Sequence, residues 1–182
     1  MKISRASKLL AARDARQFVR IRRRYEQFSV RGYVLAVGPT FFLLALVSDR
    51  LWYDGFECFR IADVTSIEPD PYAKFAEAAL RQRGLRKPRV PKVEMSSLRE
   101  LLESAGTAFP LVAVHQEALD PDICRIGKVV ATNRSQVALL EIGPDAEWES
   151  DATAYSLKSI TRVNFGGDYE NALYLAGGPS EV

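Results

Sequence analysis

The chain is poor in the residues that most often carry catalysis or hold metals: 182 residues contain one histidine, His115, and two cysteines, Cys58 and Cys124. The cysteines lie 66 positions apart with no second pair near either, so neither a disulfide framework nor a zinc site is expected. They read as reduced, buried thiols. No stretch approaches the roughly 18 apolar residues of a membrane span. The greasiest run, Thr40 to Val47, is only strand-length. Nucleotide-loop and metalloenzyme signatures (G-x-G-x-x-G, a Walker loop, H-E-x-x-H, C-x-x-C) are missing as well, so no cofactor or metal is implied. Lys2, Arg5 and Lys8 precede Leu9, Leu10, Ala11 and Ala12, but Arg13 and Asp14 follow at once. That apolar stretch is too short for a secretion signal, and the cytoplasm is the expected location.

What remains is ordinary globular composition, 47% apolar and 26% charged, enough to bury a core. Its charge is uneven. Residues 1–92 hold 19 basic and 9 acidic side chains, a surplus of ten positive charges; residues 93–182 hold 6 and 14, a surplus of eight negative ones. Such halves attract each other or partners of opposite sign.

The sequence also reads twice. R-G-Y-V-L-A-V-G-P-T-F-F-L-L-A-L-V around Gly32 aligns without a gap on I-G-K-V-V-A-T-N-R-S-Q-V-A-L-L-E-I around Gly127, at an offset of 95. Val34 falls on Val129, Phe42 on Val137, Leu44 on Leu139 and Val47 on Ile142. After one added residue, Phe59 to Ile67 matches Tyr155 to Val163, while upstream Val19 and Ile21 match Val112 and Val114. An internal duplication of a module of about 80 to 85 residues is the reading, within the small-domain range.

Each copy is expected to open with a helix. Ser97 and Glu100 form a capping box before Leu101 and Leu102, with Gly106 placed to end the helix. Ser7, Leu9, Leu10 and Arg13 hold the matching place in the first copy. Five short strands follow, in the first copy 18–24, 31–37, 40–47, 52–60 and 64–67, with turns at Gly38-Pro39 and Asn133-Arg134. A closing helix carries Tyr72, Phe75, Ala76, Ala79 and Leu80, capped by Asp70 and stopped by Gly84. Residues 1–84 thus form the first domain and residues 95–182 the second. Residues 85–94, with Arg86, Lys87, Arg89 and Lys92 beside Pro88 and Pro91, form a basic, extended linker.

A helix followed by five bent strands, with Gly32-Tyr33-Val34 leading to Phe42-Leu43-Leu44 and Gly127-Lys128-Val129 leading to Ala138-Leu139-Leu140, resembles the Sm-like family of Sm proteins and bacterial Hfq-type riboregulators. Val64-Thr65-Ser66-Ile67 and Ile160-Thr161-Arg162-Val163 are similar to that family's short last strand. The resemblance implies a mainly β fold with flanking helices (α+β), two tandem Sm-like or SH3-like five-stranded barrels. It also implies exposed fourth and fifth strands that pair with neighbours, and RNA as a ligand class. Asn133, Arg134 and Ser135 stand in the turn where the family reads bases; the first copy has Gly38, Pro39 and Thr40 there.

Arg20, Arg22 and Arg24 alternate along the first strand and share a face, with Arg23 extending the charge and Tyr25 and Phe28 interleaved for stacking. With Arg81, Arg83, Arg86, Lys87, Arg89, Lys92, Asn133 and Arg134 they form the candidate nucleic-acid surface; the rival reading pairs them with the acidic half. His115 ends a strand beside Gln116 and Glu117 and reads as structural. Neither cysteine has an activating neighbourhood beyond Arg60 and Arg125. The acids Asp145, Glu147, Glu149 and Asp151 around Trp148 read as a solvated loop. The expected function is a non-enzymatic binding or scaffold protein acting through a protein partner or self-association, with RNA binding as the alternative and a small enzyme centred on His115 as a third.

Overall fold

The computed structural model describes residues 3–180. The protein is mainly β, with ten strands in antiparallel pairs and four α-helices among the described residues. It divides into two compact units, residues 1–90 and 91–182.

In unit 1, helix α1 (Arg5–Asp14) precedes strands β1 (Phe18–Arg23), β2 (Val30–Val37), β3 (Phe41–Val47), β4 (Tyr53–Arg60) and β5 (Val64–Pro69), and α2 (Ala73–Gln82) closes the unit. The strand order is β5-β1-β2-β3-β4. The apolar run of β3 reflects burial on both faces. On one face Phe42 and Leu44 join Leu9 and Ala12 of α1, Val19, Ile21, Phe59 and Val64. On the other, Val47 joins Phe18, Tyr33 and the α2 residues Ala76 and Leu80. At about 1.5–3 kcal/mol for each large apolar side chain, these two clusters dominate the stability of the unit.

β4 and β5 stand at opposite ends of this order, yet only the 3-10 turn Ile61–Asp63 joins them. Five flat strands would hold their outer members about 19 Å apart. The link from Arg60 to Val64 reaches roughly 13–14 Å at most, so the sheet must curl. Register shifts at Arg22/Arg23, Val34/Ala36 and Ala45/Val47 supply sharp local bends. The curl stops short of the expected barrel: β5 pairs with β1, and no ladder joins β4 to β5 among the described residues.

In unit 2, α3 (Leu98–Ala108) precedes β6 (Val112–His115), β7 (Cys124–Thr132), β8 (Gln136–Glu141), β9 (Thr153–Ser156) and β10 (Arg162–Phe165), and α4 (Asp168–Gly177) follows. The order β10-β6-β7-β8-β9 repeats that of unit 1. So does the register: Gly32 faces Leu46 as Gly127 faces Glu141, Val34 faces Leu44 as Val129 faces Leu139, and each bulge lies two residues further on. α3 buries Leu101, Leu102 and Ala105. Leu173 of α4 packs on Leu111, Ala113, Ile126 and Ile142.

Three local expectations are corrected. Gly106 does not end α3; it lies inside the helix, where an added Cβ would come within 2.7 Å of the Val129 Cβ. The glycine is there for close approach to β7. The Ser4 hydroxyl, not Ser7, caps α1 by accepting from the Ser7 N–H. α2 begins at Ala73, and the Asp70 carboxylate accepts from the Tyr72 N–H at 2.7 Å, ordering the turn ahead of it. Residues 85–91 hold no helix or strand. Their first part is nevertheless tied to unit 1: the Leu85 N–H bonds the Leu80 carbonyl, and the Lys87 ammonium donates to the Arg16 carbonyl at 3.4 Å.

Candidate functional site

β5 has one strand neighbour, β1, and along β5 opens a cavity of about 1010 Å³. The first turn of α1, the β2–β3 turn at Pro39 and Thr40, the 3-10 turn and Val64 to Ile67 all contribute to it. Ile3 stands 67% exposed at its margin. The charged lining is wholly basic: Arg5, Lys8 and Arg60. Arg60 is held by Asp63 at 2.6 Å, and that hydrogen bond raises its pKa further. Arg5 and Lys8 carry no ion pair among the described residues. The cavity along this edge was missed by sequence reasoning because its walls come from four separate segments.

In unit 2 the strand with a single strand neighbour is β9, beside β8 and equivalent to β4 in the repeat. The loop leading into it carries Asp145, Glu147, Glu149 and Asp151, none in an ion pair among the described residues. Tyr155 on β9 donates its hydroxyl to Glu141; burial first, then this bond, push its pKa up to about 12.

The arginines singled out from sequence are divided by the fold. Arg20 pairs with Glu68 at 2.8 Å and Arg24 with Asp63 at 3.2 Å, both across β1 and its β5 side. Arg22 projects from the same face, exposed and without an ion pair among the described residues. Arg23, expected to extend the charged face, is 2% exposed instead, its guanidinium 4.2 Å from the Phe59 ring centre and 2.8 Å from Glu26. The register shift after Arg22 turns it inward. Tyr25 receives a 3.4 Å bond from Arg60, while Phe28 is 82% exposed.

Arg83 lies over the Trp52 ring at 5.0 Å and donates to the Arg50 and Leu51 carbonyls, a structural clasp between α2 and the β3–β4 loop. Lys87 stands 4.1 Å over the Tyr33 ring and 3.4 Å from Glu77. Arg81, Arg86 and Arg89 are exposed. Lys92 belongs to unit 2 and is exposed. Asn133 spends its side-chain oxygen on the Ser135 and Gln136 amides, shaping the turn, and Arg134 is left exposed beside it.

His115 ends β6, opposite Arg162 and Cys124 in the ladder, and lines none of the cavities described here. Near it Thr161 donates to the buried Glu117 at 2.6 Å, an arrangement that satisfies a buried carboxylate. Cys58 is fully buried, and desolvation followed by Glu57 drives its thiol pKa well up; Cys124 is exposed, with its pKa also raised. Both shifts run away from the lowered pKa that activates a thiolate. Among the described residues no three His, Cys, Asp or Glu side chains gather as metal ligands, and no helix is long and apolar enough to cross a membrane. Compared with protein-family models, curated proteins and solved structures, the chain finds no match.

Proposed function

We propose that the chain is a non-enzymatic cytoplasmic scaffold built from two Sm-like units of one duplicated module, and that it self-associates head to tail. The β5 edge of one copy receives the β9 edge of the next. The observation that carries this reading is the charge at the two open edges: Arg5, Lys8 and Arg60 line the cavity along β5, and four acids with no ion pair among the described residues lead into β9. An unpaired strand edge offers main-chain donors and acceptors to another strand, and opposite charge fixes which edge comes to which. Contacts of this heterologous kind close into rings or continue as filaments.

Light scattering after size exclusion tests it. The native chain is expected as a defined oligomer. Arg5→Glu with Lys8→Glu dissociates it, as does Glu149→Lys with Asp151→Lys, and an equimolar mixture of the two variants restores association through the swapped pair. A native monomer at all concentrations, or an oligomer indifferent to both variants, refutes it. RNA binding is the second reading, supported by exposed Arg22 and Phe28 on neighbouring stretches of unit 1. Its signature is affinity for single strands that falls steeply with salt, with a slope lowered in Arg22→Ala.

A further inference from the structure

A second cavity in unit 1, of about 410 Å³, lies where the end of α1 meets β2 and the segment after α2. Its volume falls in the range of small-ligand sites, roughly 300–1,000 Å³. Four cations line it: Arg13, Arg16, Lys87 and Arg89. No carboxylate does. Glu77, which engages Lys87, lines a separate cavity of about 280 Å³ on the other side of Tyr33 and Lys87. Arg13 is partly neutralised by neighbouring Asp14 at 2.8 Å. Arg16 and Arg89 have no ion pair among the described residues.

The carbonyls at the end of a helix would ordinarily repel an anion. Here those of Ala11, Ala12 and Arg13 accept from the Ala15, Gln17 and Arg16 amides, and that of Arg16 accepts from Lys87. Those four carbonyls are therefore satisfied within the chain, and the cations beside them offset the negative end of α1. Arg16 holds a left-handed backbone (φ 48°), a conformation disfavoured for a residue with a Cβ. The floor is apolar, formed by Val34, Leu35 and Val90.

We propose that this cavity binds a phosphorylated small molecule with a flat apolar body, of the nucleoside diphosphate class. The planar forks of Arg16 and Arg89 match phosphate oxygens two at a time, Lys87 adds a point charge, and the aliphatic floor takes the ring. Concave cationic walls over an apolar floor suit a compact anion that carries its own apolar part; a free phosphate would leave the floor unused. The site is independent of the strand edges used for self-association.

Calorimetric titration of the full chain with ADP, with pyrophosphate and with a short oligoribonucleotide tests it. ADP is expected to bind, more tightly than pyrophosphate. Arg16→Gln with Arg89→Gln is expected to weaken ADP about tenfold or more, as two charge-assisted contacts are lost. Lys74→Gln, the same change of charge type on the exposed surface of α2, is expected to leave ADP affinity unchanged. Circular dichroism of each variant confirms folding, and Arg89→Gln alone, in a segment without helix or strand, repeats the test should the double variant unfold. Absence of ADP binding at low salt overturns the proposal. So does equal weakening by Lys74→Gln, or binding of the oligonucleotide but not of ADP.

Discussion

Adding a single methyl group at Gly32 or at Gly127 is expected to be among the most damaging changes of its size in this protein. A Cβ on Gly32 would lie 2.0 Å from the Ala45 carbonyl oxygen, and one on Gly127 would lie 2.2 Å from that of Leu140. Carbon-to-oxygen contacts across a sheet settle near 3.3 Å, so each strand pair must part by more than 1 Å. Both obstacles are backbone, and no rotamer change relieves them. Overpacking costs about 1–3 kcal/mol, and buried ladder groups left unpaired add about 1–3 kcal/mol each. A loss of about 2–5 kcal/mol per variant follows, against a total near 5–15 kcal/mol for a folded domain. With a urea slope of about 1–3 kcal/mol/M, the midpoint moves down by about 1 M or more. The two tryptophans of the chain report on separate units: Trp52 follows β3, and Trp148 bridges to Ile142 while donating its indole N–H to the Gly178 carbonyl. Gly32→Ala is read at Trp52 in a Trp148→Phe background and Gly127→Ala at Trp148 in a Trp52→Phe background. Gly84→Ala is the contrast: a Cβ there meets nothing within 4 Å, and only its φ of +72° resists, at about 1–2 kcal/mol. If either sheet glycine tolerates alanine within about 0.5 kcal/mol, or Gly84→Ala is the worse change, the close strand approach is wrong.

Tyr155 makes unit 2 sensitive to alkali. Its folded pKa is pushed up to about 12 by burial and by Glu141, so the neutral phenol stabilises the fold fully below about pH 10, the unfolded value, and that contribution is lost as pH rises toward 12. Urea midpoints read at Trp148 are expected to fall across that window by more in the native chain than in Tyr155→Phe; parallel curves would refute the assignment. The two thiols are expected to separate cleanly in a disulfide-exchange assay. Cys124 reacts in the folded chain, slowly because desolvation raises its pKa, and Cys58 reacts only after denaturant is added. Two thiols titrating together under native conditions would show that β4 is not buried as described.

Much of the fold was legible wherever a local rule settled it. The 95-residue offset placed Gly32 and Gly127 at equivalent ladder positions because both must let a neighbouring carbonyl pass, and no other residue can. Strand extents followed from β-branched and aromatic runs, and the Ser97–Glu100 capping box marked the start of α3, since each depends on residues within a few positions. Long-range pairing was not legible. That β5 leaves β4 and pairs with β1 depends on the curl of the sheet, and the bulge that buries Arg23 beside Phe59 leaves no mark in an Arg-Ile-Arg-Arg-Arg run. Gly106 carried the sequence signal of a helix stop, but contact with Val129 across the structure decided its role. The cavities of unit 1 escaped notice for the same reason, since their walls are brought together by folding.

The charge imbalance takes on a sharper meaning once the ion pairs are located. Of the nine acids in residues 1–92, at least six form ion pairs locally: Asp14, Glu26, Asp49, Asp63, Glu68 and Glu77 each face an arginine or lysine of unit 1. These pairs are committed to holding β1, β2, the β4–β5 corner and the segment after α2 in place. The surplus that remains, including Arg5, Lys8, Arg16, Arg22 and Arg89, lies at the α1 and β5 margin, on the outer face of β1 and around the 410 Å³ cavity. In unit 2 the loop acids Asp145, Glu147, Glu149 and Asp151 have no ion pair among the described residues, although Asp145 accepts from the Glu147 N–H and Asp151 from the Ser150 hydroxyl. A partner therefore meets only this remainder, spread over exposed side chains whose attraction is screened beyond about 8–10 Å at physiological salt. Such charges speed and orient encounter far more than they prolong it. In the proposed assembly, residence time must then come from the hydrogen-bonding edges of β5 and β9 and from the apolar contacts at Ile3 and Ile61, while the charges decide which edge arrives first.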